Sequence, residues 1–446
     1  MKDTQRSEYV LTVQQRIAQV ARERPQEVFT ALNHYLDVAW LQAAYERVKA
    51  DSAPGIDGQS WADYGKDLEK NLRSLLDRVK SGSYVAPPVK RVHIPKGEGK
   101  ETRPIGMPTI EDKVLQRAVV MLLEPIYEQD FKYYSYGFRP GRSAHEVLSC
   151  IWSQCMKQRI KWILDVDVRK YFDTLRHNIL GGLLELRVRD GVLRRLIGKW
   201  LKAGVLDRGQ LSYPEAGTPQ GGVISPLLAN IYLHYVLDCW YAESVRPRMK
   251  GATFLVRFAD DFILGFENKE DAEKVYRVLF RRFEKYGLSL HPDKTRLVPF
   301  ERPADTSQPP GQPGEPPGTF DFLGFTHYWG KSQKGTWVIR RRTMRKRFRR
   351  SLKAISQWGR KNLHEPMRVQ VEALGRKLKG HFGYYGITGN YEALARYRRE
   401  VIGIWRRWLA RRGDSQGMSW ARMHRLLKFY YLPEARVMHS IYAAKP

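Results

Sequence analysis

The chain has 446 residues, 42% of them apolar, which is enough to bury real cores in two or three domains and excludes a disordered chain. Its 77 Lys and Arg against 47 Asp and Glu leave a formal charge of +30, a surplus that repels itself and calls for a polyanionic partner. Apolar runs such as Ala118–Leu123 fall far short of the roughly 20 residues a membrane span needs, so nucleic acid is the expected partner and a membrane is not.

The start, MKDTQRSEYV, carries no signal-peptide core, and Cys150, Cys155 and Cys239 form no CxxC pair. Both observations predict a reducing, cytoplasmic setting and argue against a zinc module.

Residues 9–50 read as two helices, with Val28, Leu32, Tyr35 and Leu36 at helical spacing, ended by APGIDG at 53–58. The stretch 84–108 has short β-prone runs around a Gly/Lys turn and predicts a basic hairpin. Helices are expected at about 111–129 and 143–159. KWILDVDV, 161–168, then reads as a buried strand carrying carboxylates. Two helices over roughly 176–203 lead to the glycine-rich GTPQGGVISP at 217–226 and a long helix to about 242. TFLVRFADDFILGF, 253–266, is apolar on either side of two aspartates, the pattern of a hairpin with the acids at its turn. A helix at 269–286 and HPDKTRLV at 291–298 follow. Prolines bar the insert 301–318 from helix or inner strand, so a flexible surface loop is expected there. FDFLGF (320–325) and TWVIRR (336–341) predict another hairpin, and from Thr343 to the end the chain is expected to be helical. No internal repeat is visible.

Two adjacent carboxylates between apolar strands are costly to bury unless cations neutralise them. Asp260 and Asp261 form such a pair, and Asp165 and Asp167 share one face of the strand before them because strand side chains alternate. Three carboxylates converging from two strands can hold two Mg²⁺ ions about 3.5–4 Å apart, which activate a 3′-hydroxyl and stabilise leaving pyrophosphate.

Five motifs then stand in one order: VDVRKYFD (166–173), GTPQGGVISPLLANI (217–231), RFADDFIL (257–264), HPDKT (291–295) and FLGF (322–325). Together they resemble the right-hand polymerases and, within them, the reverse transcriptases of group II introns, over about Ile17–Tyr442. Phe258 stands where the family's usual box has Tyr. The resemblance implies an α+β right-hand polymerase of fingers, palm and thumb, with a helical amino-terminal extension and an all-α basic thumb/maturase region. The boundaries expected are 1–58, 59–160, 161–341 and 342–446.

The resemblance also implies roles. Asp167, with Val168 next and Phe172 five positions on, matches the metal-binding aspartate; Asp165 is then supporting or structural, and Asp173 structural. The metal set is Asp167, Val168, Asp260 and Asp261, with two Mg²⁺ ions as cofactor. Phe172 is placed like a steric gate against a ribose 2′-hydroxyl; a Phe after a strand also suits plain core. Lys96 and Arg103 match finger residues that grip the incoming triphosphate, and Gln220 and Gly221, with Gly222, the segment against template base and nucleotide. Lys294 matches a lysine that protonates pyrophosphate. Phe322, Leu323, Gly324 and Phe325 resemble the primer grip.

From Arg340 to Arg350 eight of eleven residues are basic, opening a segment with interleaved Phe348, Trp358, Phe382, Tyr384, Tyr385, Trp405 and Trp408. Arginines with aromatics suit RNA backbone contact and stacking, and helix-packing core is the alternative for the GHFGYYG aromatics. Arg345, Lys346, Arg349 and Arg350 are the expected RNA-binding residues. The partners implied are group II intron RNA, an RNA template/DNA primer duplex, deoxynucleoside triphosphates and target DNA. Without a CxxC pair the family's Cys/His endonuclease is not expected. Two rivals stay open: a free-standing or domesticated reverse transcriptase in DNA repair or phage defence, and a non-enzymatic RNA-folding protein.

Overall fold

A computed structural model describes residues 3–95, 102–213, 215–218, 221–303, 318–412 and 417–441. Helix α1 (Asp3–Glu23) lies along the later helix at 110–130, where Gln14 Nε2 donates to the Met121 carbonyl at 2.9 Å. Asp37 caps α2 (Val38–Glu46) by accepting from the Trp40 amide, and the fully buried Trp40 donates its indole N–H to the Ala118 carbonyl at 3.0 Å. A Ser60–Asp63 capping box starts α3 (Trp61–Lys66), followed by α4 (Leu68–Lys80). These two helices were not expected, although Leu72, Leu75, Leu76 and Val79 are spaced as one buried helical face.

The expected basic hairpin is present as antiparallel β1 (Val89–Pro95) and β2 (Thr102–Met107). Helices α5 (Ile110–Asp130) and α6 (Ala144–Lys157) then lead to β3 (Trp162–Val166). After the one-turn α7 (Tyr171–Thr174) come α8 (His177–Glu185) and α9 (Gly191–Leu201). Strand β4 (Val205–Asp207) pairs parallel to β1, and β5 (Gln210–Ser212) completes a four-stranded sheet of order β2-β1-β4-β5. Helix α10 (Ser225–Leu233) runs on through π-helical turns to Val245.

The central sheet, of order β6-β7-β3-β8, is built from β6 (Thr253–Phe258), β7 (Asp261–Phe266), β3 and, beyond α11 (Lys269–Lys285), β8 (Arg296–Pro299). Alternation divides its side chains between two cores. Leu164, Val166, Phe262, Leu264 and Phe266 join the large core shared with α1 to α5 and α7 to α11, whereas Ile163, Ile263, Phe254 and Val256 face α6 and the last sheet.

That last sheet corrects an expectation. FDFLGF is not one strand: β9 (Phe320–Phe322) turns at Leu323 and Gly324 into β10 (Phe325–Lys331), which pairs with β11 (Trp337–Thr343). Consecutive left-handed residues at φ +48 and +81 reverse the chain in two positions, so a meander replaces the single hairpin. Of the proline-rich insert, 304–317 lie outside the described residues.

Helices α12 (Arg345–Lys361), α13 (Met367–Tyr385), α14 (Tyr391–Leu409) and α15 (Trp420–Phe429) enclose their own core around Ile355, Leu374, Tyr397, Trp405 and Met423. The helical pattern does not continue to the end. Residues 430–441 form no helix or strand, and Ile387 and His439 form a parallel bridge. Among the described residues no helix is long and apolar enough to cross a membrane.

Candidate active site

Pairing of Phe258 with Asp261 leaves Ala259 and Asp260 as a two-residue turn between β6 and β7. Ala259 sits at φ +58, where a side chain is disfavoured, so the turn must be held by its surroundings. Arg257 does this. It is fully buried, and its five N–H groups reach Asp238 Oδ1 (2.9 Å) and Oδ2 (2.5 Å), Asn230 Oδ1 (2.8 Å), Ser135 Oγ (2.6 Å) and the Ala259 carbonyl (3.0 Å). Behind the turn Gly137 is pressed so close that a Cβ there would come 2.2 Å from the Ala259 nitrogen.

Asp167 follows β3 directly. The β3–β7 register pairs Asp165 with Ile263 and Val166 with Phe262, so the next position faces Asp261. The His291 amide donates to the Asp167 carbonyl at 2.8 Å, and Lys294 Nζ stands 2.9 Å from Asp167 Oδ2. Asp261 is exposed on one side and enclosed by protein on the others. That enclosure first, then the charges of Asp260, Asp167 and Asp165, pushes its carboxyl up to about 7. Asp260 is raised by burial and by Asp167. Asp165 is raised to about 6 by burial, against the pull of Arg296 at 3.4 Å. An ion pair of its own suits the supporting role expected of Asp165.

Among the described residues no three His, Cys, Asp or Glu side chains are gathered at ligating distance. Asp167, Asp260 and Asp261 stand within electrostatic range, as hard oxygen donors whose mutual repulsion a divalent cation would relieve. In donor chemistry and charge they fit such an ion. The Val168 side chain is buried in the large core, so its part in a metal set is confined to its main chain.

Arg103, exposed on β2, is close enough to Asp260 for its charge to oppose the rise in that carboxyl. Gly221 is required where it stands: at φ +117, a Cβ would lie 2.3 Å from the Gly106 carbonyl of β2. Lys96 and Gln220 lie outside the described residues. Phe172 is half-buried, edge-to-face with Phe138 (6.5 Å) and Tyr171 (5.4 Å), and its carbonyl accepts from the Thr218 amide at 2.7 Å.

Of the four primer-grip candidates, Phe322 and Phe325 are buried and Leu323 and Gly324 form the turn. Tyr384 donates its hydroxyl to the Leu323 carbonyl at 2.8 Å, and the Met344 amide donates to that of Gly324 at 2.9 Å. Arg345, Lys346, Arg349 and Arg350 are exposed on α12. Their aromatic companions are not all free to stack on bases. Phe382 and Trp405 are buried in the helical core, and Phe348, Trp358 and Trp408 pack against it, because the same helical spacing builds that core.

Three contributions escaped the sequence reading. Arg257 and Asp238 interrupt apolar runs, a signal for a buried pair that spacing alone does not connect. Arg347, between the four expected RNA-binding residues, carries its charge to Asp261 and Tyr384. Asn230 joins Arg257 to the Gly137 carbonyl, to which its Nδ2 donates at 2.7 Å.

A family model described as reverse transcriptase (RNA-dependent DNA polymerase) matches residues 94–327, just over half of the chain. Protein YkfC of Escherichia coli K12 is 38% identical over 279 residues, covering 56% of this chain and 73% of that protein. The group II intron-encoded protein LtrA of Lactococcus lactis subsp. cremoris is 39% identical over 227 residues, half of this chain but 37% of LtrA. The putative COX1/OXI3 intron 2 protein of Saccharomyces cerevisiae is 34% identical over 267 residues, 29% of its length. With the acidic turn, the paired strand and the family match in agreement, the chain belongs to the reverse transcriptase family, alongside group II intron-encoded proteins.

Proposed function

We propose that the protein is an RNA-directed DNA polymerase that also acts as a maturase on group II intron RNA. The observation that carries the reading is the Asp260–Asp261 turn facing Asp167, with the exposed Arg103 of the β1–β2 hairpin brought to it. On this reading residues 1–58 are the extension, 59–160 the fingers, 161–341 the palm and 342–446 the thumb/maturase region.

Arg103 and Lys96 hold the triphosphate, the guanidinium as a fork and the ammonium as a point charge. Gln220 and Gly221 lie along the nucleotide and its template base, and Phe172 excludes a 2′-hydroxyl. When bound by Asp167, Asp260, Asp261 and the Val168 main chain, two Mg²⁺ ions would acidify the primer 3′-hydroxyl and neutralise the leaving pyrophosphate. Lys294 gives a proton to that leaving group, a role that its ion pair with Asp167 supports. The Leu323–Gly324 turn, on the sheet beside the carboxylates, steadies the primer end.

The maturase assignment comes from the intron-encoded relatives and the exposed basic face of α12. Its partners are then the intron RNA, the template/primer duplex, deoxynucleotides and target DNA. Primer extension on an RNA template tests the polymerase. The parent should copy RNA into DNA with Mg²⁺, and Asp260→Ala should reduce this by about four orders of magnitude or more. A variant within tenfold of the parent would remove Asp260 from the chemistry.

A further inference from the structure

Phe138 holds a backbone that a bulky residue rarely adopts. Its φ is +59 and the residue is 55% exposed, so core packing does not account for the conformation. The ring instead stands edge-to-face against Phe172, with centres 6.5 Å apart and planes at 74°. A left-handed aromatic residue persists only where its neighbours over-determine it.

They do so on both sides. Gly137 is wedged against Ala259 of the catalytic turn, and its carbonyl is held by Asn230, itself bonded to Arg257. Arg139 is buried. It donates to Glu128 from Nε (3.0 Å) and Nη2 (2.9 Å) and to the Lys132 and Ser135 carbonyls (2.9 and 2.7 Å), with its guanidinium over the Phe131 ring. Phe138 therefore projects from a clamp that shares the buried network of the Asp260–Asp261 turn. Phe172 sits on a one-turn helix and is half-buried. Tyr171, anchored by its hydroxyl to the Ala229 carbonyl at 2.6 Å, limits one side of its ring, and Phe138 limits another.

We propose that Phe138 is a positioning residue for sugar discrimination, its clamped ring fixing that of Phe172 in register with the catalytic turn. The inference rests on the reading of Phe172 as the gate. Losing Phe138 leaves the gate packed on the large core and on Tyr171 but unbraced on its exposed side, so ribonucleotides gain access.

The test is single-nucleotide insertion with matched ribo- and deoxynucleotides on the full-length protein, comparing parent, Phe138→Gly, Phe138→Ala, Phe138→Tyr and Phe172→Ala. Glycine tolerates φ +59 without strain, so Phe138→Gly removes the ring while keeping the backbone. Thermal melting of each variant reports folding. Phe138→Gly and Phe138→Ala should lower the deoxy-to-ribo ratio of kcat/KM by about three- to tenfold, the size of one lost edge-to-face contact. The change should sit mainly in the ribonucleotide KM, and Phe138→Tyr should keep the parental ratio. A Phe138→Gly ratio equal to the parent's, or kcat falling equally for both sugars, overturns the proposal. If Phe172→Ala leaves the ratio unchanged as well, the gate itself is lost; if it shifts while Phe138→Gly does not, Phe138 alone is excluded.

Discussion

Arginine builds both the acidic turn and the basic helix α12, in opposite ways. Arg257 is fully buried and all five of its N–H groups are used within the chain, so its charge is spent on geometry. Arg345, Arg349 and Arg350 are exposed and face solvent along one helix. A buried guanidinium without its carboxylate is a large penalty, whereas an exposed one costs the fold little and is available to a partner. The same residue type thus serves a rigid buried turn in one region and an exposed, solvated helix face in the other.

The sharpest way to break this contrast is Arg257→Ala. It strands the Asp238 carboxylate in the core and frees the Ala259 carbonyl, so unfolding stability should fall by about 3–5 kcal/mol. Urea denaturation measures this. Below the midpoint DNA synthesis should drop sharply while RNA retention on filters persists, because the exposed helix is untouched. Loss of both in step would show that turn and helix are one functional unit.

Much of this division was legible in the sequence. Two aspartates between apolar runs gave the hairpin, and the alternation in KWILDVDV put Asp165 and Asp167 on one face. The pair that fixes the turn was not legible, because Arg257 and Asp238 meet only once β6 packs against the π-helical turns after α10. Likewise the reversal within FLGF depends on a leucine at positive φ, which no composition rule signals. The aromatics of the last helices were ambiguous in the sequence because core and stacking surface use the same residue types. Burial decides it for Phe382 and Trp405.

A smaller effect sharpens the rigid side. Asp112 of α5 is buried beside a small cavity that Gly222 also lines, and accepts from the Tyr84 hydroxyl, which in turn accepts from Trp200 Nε1 at 2.9 Å. Burial above all pushes its carboxyl up to about 7. Below about pH 4 both folded and unfolded chains hold this proton. Between about 4 and 7 only the unfolded chain releases it, so the contribution to stability falls as pH rises and levels off above the folded value. Asp112→Asn keeps an acceptor for Tyr84 and abolishes the titration. Between pH 5 and 8 the parent should lose up to about 3 kcal/mol more than the variant in urea denaturation. Parallel pH profiles would show that Asp112 is ionised throughout.

The mildest change tests the binding side. If the exposed face of α12 grips RNA through phosphates, each contact releases counterions and affinity falls with salt by about 0.7–0.9 log units per phosphate and decade. Replacing Arg345, Lys346, Arg349 and Arg350 together by Gln should flatten that slope by about three units, up to four. The substituted side chains are exposed and Gln is a good helix former, so the melting temperature should hardly move. Filter binding of group II intron RNA across a salt series reads the slope, and a splicing assay with the same RNA should weaken in parallel. Arg347 makes the sharper control. Its charge reaches Asp261, so Arg347→Gln should disturb primer extension more than the salt slope, although it lies in the same run of sequence. A quadruple variant with the parental slope would leave α12 a solvated helix and move the RNA-binding face elsewhere on the surface. A slope flattened in the quadruple variant but kept in Arg347→Gln would show that position on the helix, rather than the run of basic residues as such, decides whether an arginine serves RNA or the acidic turn.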